Sequence, residues 1–404
     1  MTAPSDIRVD VVGGGIGGLS AALFLQRAGI RNVAVYEQSS ELREIGAGIQ
    51  MAPNAVRLLR RLGLAEALAE VSVRLEGGWE FRRWDDGRVL FSQPFGELSE
   101  QLFGEPYYVV HRRDLLDLLR EAVPESWINL GHRCTAIAEE GDEVVAIFGN
   151  GTSVRAGALI GADGIHSVIH DSILPPEPAT FSGLSAYRAL VPVESAPELT
   201  RRPVTTLWLG PHRHFVHYPV SAGREINIVS CNPAGGFAEE SWTADGRVED
   251  LAAEYAGWHE CVQQLISAVT HTKQYAFYDR APLKHWTRGR VTLMGDAAHP
   301  MMPFFAQGAS QAIEDAAVLG GCLHEASHET VPEALRRYEA LRRERASSVQ
   351  LVSRERREHH HLPDGEAQRR RDEAMANEDP LRYSAWIYGH DVEEDLTRES
   401  AAPR

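Results

Sequence analysis

VDVVGGGIGGLSAALFLQRAGIRNVAVYEQ, residues Val9–Gln38, decides the fold. Val9–Val12 is a short, mostly apolar run and reads as a buried parallel strand. Gly13-x-Gly15-x-x-Gly18 follows at once. Gly13 permits a tight turn, Gly15 lets backbone approach a pyrophosphate, and Gly18 lets a helix pack on the strand. Leu19–Ala28 has helical character, so its first amides can face phosphates, and Gly29 suits the C-cap. Val33–Tyr36 reads as a second strand with Glu37 at its end. An acidic side chain roughly 20 residues after the glycines is placed to meet a ribose hydroxyl. The whole βαβ pattern, with Gly17 and Gln38 beside the motif residues, points to a dinucleotide. A bare Gly-rich turn is the bland alternative.

A distant segment narrows the choice. GRVTLMGDAAHPMMPFFAQGASQAIEDAAVL, Gly289–Leu319, holds a strand at Val291–Met294, then Gly295-Asp296, then a helix from Gly308 and Ala309. A simple dehydrogenase needs no second glycine-and-acid site. A cofactor with an ADP end and a flavin end does, which points to FAD.

With these motifs in place, the chain resembles the single-component (class A) FAD-dependent aromatic hydroxylases from about Ile7 to Ala346. His111-Arg112-Arg113-Asp114-Leu115 is similar to the element whose Arg contacts FAD in that family. Gly161-Ala162-Asp163-Gly164-Ile165-His166-Ser167 resembles its DG motif, and Gly295-Asp296-Ala297-Ala298-His299-Pro300 its GD motif. GAGIQMAPN (Gly46–Asn54, with Gly48 in the flavin loop) looks most like the salicylate, 3-hydroxybenzoate and 6-hydroxynicotinate hydroxylases. The resemblance implies noncovalent FAD, transient NADH or NADPH, and O2 as cosubstrate. It implies hydroxylation of a small phenolic aromatic through a flavin C4a-hydroperoxide. Alternatives are a flavoenzyme of the same fold acting on a larger aromatic, such as a coenzyme A ester, pyridine acid or natural-product intermediate, and a non-hydroxylating flavin oxidoreductase. A nonenzymatic dinucleotide sensor would not need the GD segment.

Composition agrees. The 404 residues suit two interleaved domains, and the formal charge of −16 argues against nucleic acid and against an anionic membrane surface. Cys134, Cys231, Cys261 and Cys322 are scattered without a CxxC pair, as expected of reduced thiols in the cytoplasm. MTAPSDIRVD lacks the basic and apolar stretches of a signal peptide, and no apolar run approaches the roughly 20 residues of a spanning helix. A monomer or homodimer is expected.

The predicted architecture is α/β: a Rossmann-like FAD domain (1–78, 109–181, 276–330) interleaved with a mixed β-sheet substrate domain (79–108, 182–275), then a C-terminal helix and tail (331–404). Strands are expected throughout 79–108, with a turn at Asp86-Gly87, and at Ser185–Val191, Val204–Leu209, His214–Val220 and Glu225–Ser230. Glu333–Arg357 reads as a charged amphipathic helix. His359-His360-His361 reads as an exposed polar turn and not a metal site, because consecutive His cannot all face one ion on a helix. Arg369–Arg371 reads as a solvated face, and Ser384–Gly389 as an aromatic patch docking the tail on the body or a second subunit.

In a strand, His212, His214, Val216 and Tyr218 share one face, and Arg213, Phe215 and His217 the other. His214 matches a functional His of the hydroxybenzoate hydroxylases, which implies a base that activates the phenol, with Tyr218 beside it. Arg188 matches a strand Arg near the isoalloxazine and would hold a substrate carboxylate or the nicotinamide cofactor. Where the 6-hydroxynicotinate enzymes carry His, this chain has Gln50 and Phe304 or Phe305; where the 3-hydroxybenzoate enzymes carry Gln, it has Met302-Pro303. These residues predict a more apolar pocket wall.

Overall fold

The computed structural model describes residues 7–41, 47–175, 179–237, 244–377 and 380–401. Gly46 of the flavin-loop motif lies outside the described residues. Val9–Val12 is the centre of a six-stranded sheet, flanked in parallel by Val33–Tyr36 and Ala158–Gly161. Val291–Leu293 extends one side and Ile128–Asn129 the other, both parallel; Thr287–Arg288 adds an antiparallel edge. Helices cover the sheet, which is why its strands read as unbroken apolar runs. Asp10 is the exception. It is fully buried, and Arg8 Nε reaches Oδ1 at 3.0 Å. Desolvation still pushes its carboxyl up to about 6.

The helix Ile16–Arg27 lies against the helix Gly308–Leu323, so the two Gly-rich segments meet in space. Their approach is close: a Cβ at Gly320 would stand 2.8 Å from the Phe24 carbonyl oxygen. Both helices therefore begin beside the same carboxyl ends of the central strands.

The second sheet has eight strands. Thr180–Pro192, Arg213–Val220, Glu225–Pro233 and Thr272–Asp279 pair antiparallel, and Val204–Gly210 pairs with Arg213–Val220. Gly78–Arg83 and Val89–Gln93 join it from much earlier in the chain, Gly78–Arg83 running parallel to Val204–Gly210. The architecture is thus the interleaved α/β one. Residues 79–108 are not all strand, however: Gly96–Phe103 is a helix. It ends at Gly104, whose φ of +77° supplies a left-handed C-cap.

Alternation along these strands separates two environments. Trp208, Phe215 and Tyr187 pack with Tyr255, Val262 and Leu265 of the covering helices. The opposite face, including Leu207, Val216, Tyr218 and Val229, looks into a cleft against the first sheet. Val331–His360 is a 30-residue helix, about 45 Å long at 1.5 Å per residue. It runs from the FAD domain to the cleft, and its last turn arrives beside the eight-stranded sheet.

The tail corrects two expectations. His360 is buried and His361 half-buried, so their turn is not an exposed one. Arg371 is buried too, donating to Asp372 and to the His359 carbonyl. The patch Ser384–Gly389 docks on the body: Tyr388 lies edge-on to Phe95, Phe103 and Tyr107.

Candidate active site

The cleft has a volume of about 910 Å³. One end is built by the first Gly-rich turn. Gly13 has φ +113°, and a Cβ there would stand 2.1 Å from the Ala162 carbonyl oxygen, so the turn requires glycine twice over. Gly18 does not line the cleft. A Cβ there would meet Gly13 O at 1.9 Å, so it lets the helix press on the strand. Glu37 is held in place at the cleft by its own contacts: Oε2 accepts the Gly14 N–H at 2.7 Å and Oε1 the Ser39 N–H at 2.9 Å. Gly15, Gly17, Gln38 and Arg112 also line the cleft, and Gly48 lines it against Tyr218 of the eight-stranded sheet.

The helices Ile16–Arg27 and Gly308–Leu323 both start at the cleft, without a side-chain cap and without an acid in the first turn. Their first N–H groups are orphan donors at the positive ends of helix dipoles. Gly308 and Ala309 line the cleft beside Asp296, which is exposed to it. Two uncapped helix starts, an anchored acid and a glycine cradle form a cleft that fits an extended pyrophosphate cofactor. Asp163 also reaches the cleft, but its carboxylate is occupied: it accepts the Ser167 hydroxyl and the Val168 and Ile169 amides, fixing the helix Val168–Ile173.

The other end lies between the eight-stranded sheet and the loop after Pro300. His214, Val216 and Tyr218 line it from one strand and Arg188, Val229, Cys231, Tyr275 and Phe277 from its neighbours. Met302, Pro303 and Phe304 face them. Phe305 does not line the cleft. It packs beside Trp386 under the Arg356 guanidinium, because Pro303–Phe305 is a single 3-10 turn, in which successive side chains point about 120° apart. Gln50 is buried in the wall and accepts the Tyr107 hydroxyl at 2.6 Å.

The charged groups of this end are Arg188 and Lys273, while the groups between them are buried and uncharged. Burial holds His214 well below its ordinary pKa, with His361 adding to the shift, and burial pushes Tyr218 above the usual phenol range. Arg188 lies over the Tyr275 ring, 5.0 Å from its centroid, and donates to its hydroxyl. Asn227, His360, His361 and Tyr275 belong to this site although the sequence did not single them out for it. The period-2 alternation about Arg188 could have found Asn227 only with the strand register known. No local pattern could bring in His361, which is 147 positions from His214.

The family described as FAD binding domain matches residues 6–353. A 3-amino-4-hydroxybenzoate 2-monooxygenase of Streptomyces platensis is 43% identical over 385 residues, 95% of this chain and 96% of that protein. The chain belongs to the FAD-dependent aromatic hydroxylases. For this hydroxylase, 3-hydroxybenzoate 6-hydroxylase 1 of Aquipseudomonas alcaligenes is a further relative, 36% identical over 394 residues, covering 95% and 98% of the two chains. A solved salicylate hydroxylase substrate complex superposes with a TM-score of 0.83 at 27% identity over the full length of both chains. Klebsiella pneumoniae HpxO, solved with FAD and uric acid, superposes at 0.84 with 28% identity, covering 99% and 98%. FAD is therefore the cofactor of this hydroxylase. No helix among the described residues is long and apolar enough to cross a membrane.

Proposed function

We propose that this hydroxylase adds one oxygen atom of O2 to the ring of a phenolic benzoate, with NADH or NADPH as reductant. FAD, held without a covalent bond, supplies the activation of O2 that gives an electrophilic oxygen; the protein supplies position and dryness. The carrying observation is the register of the eight-stranded sheet, which covers the cleft as a lid. Arg188 pairs with Val229 and His214 with Cys231, so all four side chains share one face. Two strand spacings and two residues of offset put the Arg188 and His214 Cα atoms about 12 Å apart. Their side chains reach inward across that gap, leaving room for one aromatic ring. A carboxylate would sit toward Arg188 and a hydroxyl toward His214. The apolar wall of Val216, Met302 and Phe304 holds the ring flat and excludes water.

His214 would take the phenolic proton, because an electron-rich ring is what an electrophilic oxygen attacks. Its lowered pKa keeps it neutral and able to accept. Relatives named 3-amino-4-hydroxybenzoate 2-monooxygenase are 40–43% identical, so that amino acid of the benzoate class is the first substrate to test. The free, buried cysteines suit a cytoplasmic enzyme. The test is a screen of substrate-stimulated NAD(P)H oxidation over 3-amino-4-hydroxybenzoate, 3-hydroxybenzoate, salicylate and 6-hydroxynicotinate, with products identified by mass. A product one oxygen heavier supports the reading; stimulated oxidation by none of the phenolic acids rejects it. His214→Ala should consume NAD(P)H and release hydrogen peroxide with little product, and a fully coupled His214→Ala enzyme ends the base role.

A further inference from the structure

His214 is joined at Nδ1 to Nε2 of His361 at 2.7 Å. The two rings lie close to one plane and meet nitrogen to nitrogen, with centroids 5.0 Å apart and 25° between planes. His361 is the C-cap of the Val331–His360 helix, so the C-terminal part of the chain reaches into the lid. Phe304 stands edge-on to both rings at 5.6 Å. His214 is buried and lines the cleft, whereas His361 is half-buried. The pair thus runs from the place of the substrate hydroxyl outward.

Two chemistries use such a pair. With Cys231 the imidazoles form a cluster whose ligating atoms lie within 4.8 Å of one another, a donor set that suits a soft divalent cation. Two nitrogens each about 2.0–2.1 Å from one tetrahedral ion would stand about 3.3 Å apart. The observed 2.7 Å is instead the separation of two nitrogens sharing a proton. The geometry favours proton sharing.

We propose that His361 is a positioning residue that receives the substrate proton through His214 and carries it out of the buried end of the cleft. The proposal rests on the reading of His214 as the base. The step balances without charging the buried ring. The phenolic O–H breaks as N–H forms at His214 Nε2. The His214 Nδ1–H breaks as N–H forms at His361 Nε2, and the His361 Nδ1 proton goes to solvent. Reprotonation of the product runs the path backward and restores both tautomers. The surroundings favour this over a lasting imidazolium. His212, from the turn before the strand, and Arg357, from the helix, face His361; Arg356 and Arg371 bear on His360, whose ring is 5.5 Å from His214. Cys231, from the next strand, is neutral because burial raises its thiol. No carboxylate stands against the pair among these groups, so a held positive charge would meet only cations and apolar walls.

The experiment uses FAD-loaded His361→Ala and His361→Asn enzyme with a phenolic acid that the parent hydroxylates. Product formed per NAD(P)H consumed is followed from pH 6 to 9, with flavin reduction timed in the same samples. The expected result near pH 7 is a loss of about tenfold or more in coupling, smaller than or up to the roughly 10²–10⁴-fold typical of removing a general base itself. Coupling should recover as pH rises toward the phenol's own pKa, near roughly 10, or on addition of imidazole. Asn can orient His214 but cannot pass a proton, so it should resemble Ala. Restoration by Asn, wild-type coupling in the Ala variant, or a loss that neither alkali nor imidazole relieves each overturns the proposal. His214→Ala is run alongside: if it stays coupled, the base reading itself has failed; if it uncouples while His361→Ala does not, only the relay has failed.

Discussion

Gly48 and the ring of Tyr218 occupy adjoining space so tightly that a Cβ at residue 48 would stand 2.3 Å from Tyr218 Cε2. Gly48 also donates its N–H to Asn227 Oδ1 at 2.7 Å. One glycine therefore ties the flavin-loop strand Gly48–Met51 to the lid sheet from both sides. Its backbone needs no left-handed conformation; the requirement is space alone.

Gly48→Ala should push Tyr218 and its strand away, at a cost of about 1–3 kcal/mol for overpacking. The consequence falls on coupling, because a lid displaced by a methyl group lets water in. Thermal melting with product-to-NAD(P)H ratios checks this. Unchanged stability and coupling would show that the contact yields freely.

FAD retention should depend on both ends of the cleft. Asp296→Ala and Glu37→Ala should each lower flavin occupancy after gel filtration; Asp296→Ala should leave the fold intact, whereas Glu37→Ala also frees the Gly14 and Ser39 amides that its carboxylate holds. Gly13→Ala should do worse: φ +113° and the 2.1 Å approach to Ala162 O forbid the side chain. Full occupancy in the double variant of Glu37 and Asp296 would mean the cofactor lies elsewhere.

The FAD cradle was legible in sequence because its devices are local. A turn glycine, a helix start and a strand-end acid lie within one βαβ unit, and their spacing carries the geometry. The lid face was legible through period-2 alternation around His214. Phe305 was not, since a short 3-10 turn at Pro303–Phe305 points the two successive rings apart and no local signal marked that turn. His360 and His361 were misread because a polar triplet at a helix end gives no sign of what the helix runs into. Glu314 and Asp315 read as ordinary helical positions, yet both are buried partners of Arg342, and nothing in local spacing connects them.

That buried network should govern stability of the GD segment. Arg342 donates to Asp315 at 2.8 Å and Glu314 at 2.7 Å; Asp315 in turn accepts the Gly295 N–H at 2.9 Å. Arg345 and Asn54 also hold Glu314. The arginines keep Glu314 down to about 2. Arg342→Met should leave Asp315 with His299 and the Gly295 amide as its remaining partners and cost up to about 3–5 kcal/mol, with FAD affinity falling as the Asp315 anchor of Gly295 loosens. Denaturant titration with and without excess FAD reads both effects. A loss under about 1 kcal/mol would contradict the network's role.

Stability should fall on mild acidification. Burial lowers His217 and His361 to about 3, and lowers His214 and His360 as well. Below about 6.5 the unfolded chain binds protons that the folded chain refuses, so the stability these rings hold above that pH is lost as pH falls toward their folded values. Asp10, raised to about 6, and Asp114 and Asp163, also raised by burial, have the opposite sign, but the lowered histidines, His111 and His390 among them, outnumber these carboxyls. Glu314 enters only below about 4.5. His217, buried beside Trp208, is the clean reporter: His217→Phe should flatten the dependence between pH 6.5 and 4.5 by about 1.4 kcal/mol per pH unit. An unchanged slope would remove His217 from the account.

Arg188 offers the sharpest test of how the substrate is oriented. It lines the cleft from a strand adjoining both Val229 and Lys273, with its guanidinium over Tyr275. A carboxylate seated there would gain a charge-assisted hydrogen bond worth about 1.5–3 kcal/mol. Arg188→Gln should therefore raise KM for the hydroxybenzoate about 10- to 150-fold, since about 1.4 kcal/mol is tenfold. The matching primary amide never had that interaction and should change little. The comparison separates lost recognition from a distorted sheet, which would weaken acid and amide alike. If instead KM for the acid holds and KM for NAD(P)H rises, Arg188 serves the nicotinamide cofactor, and the carboxylate must be sought nearer Lys273.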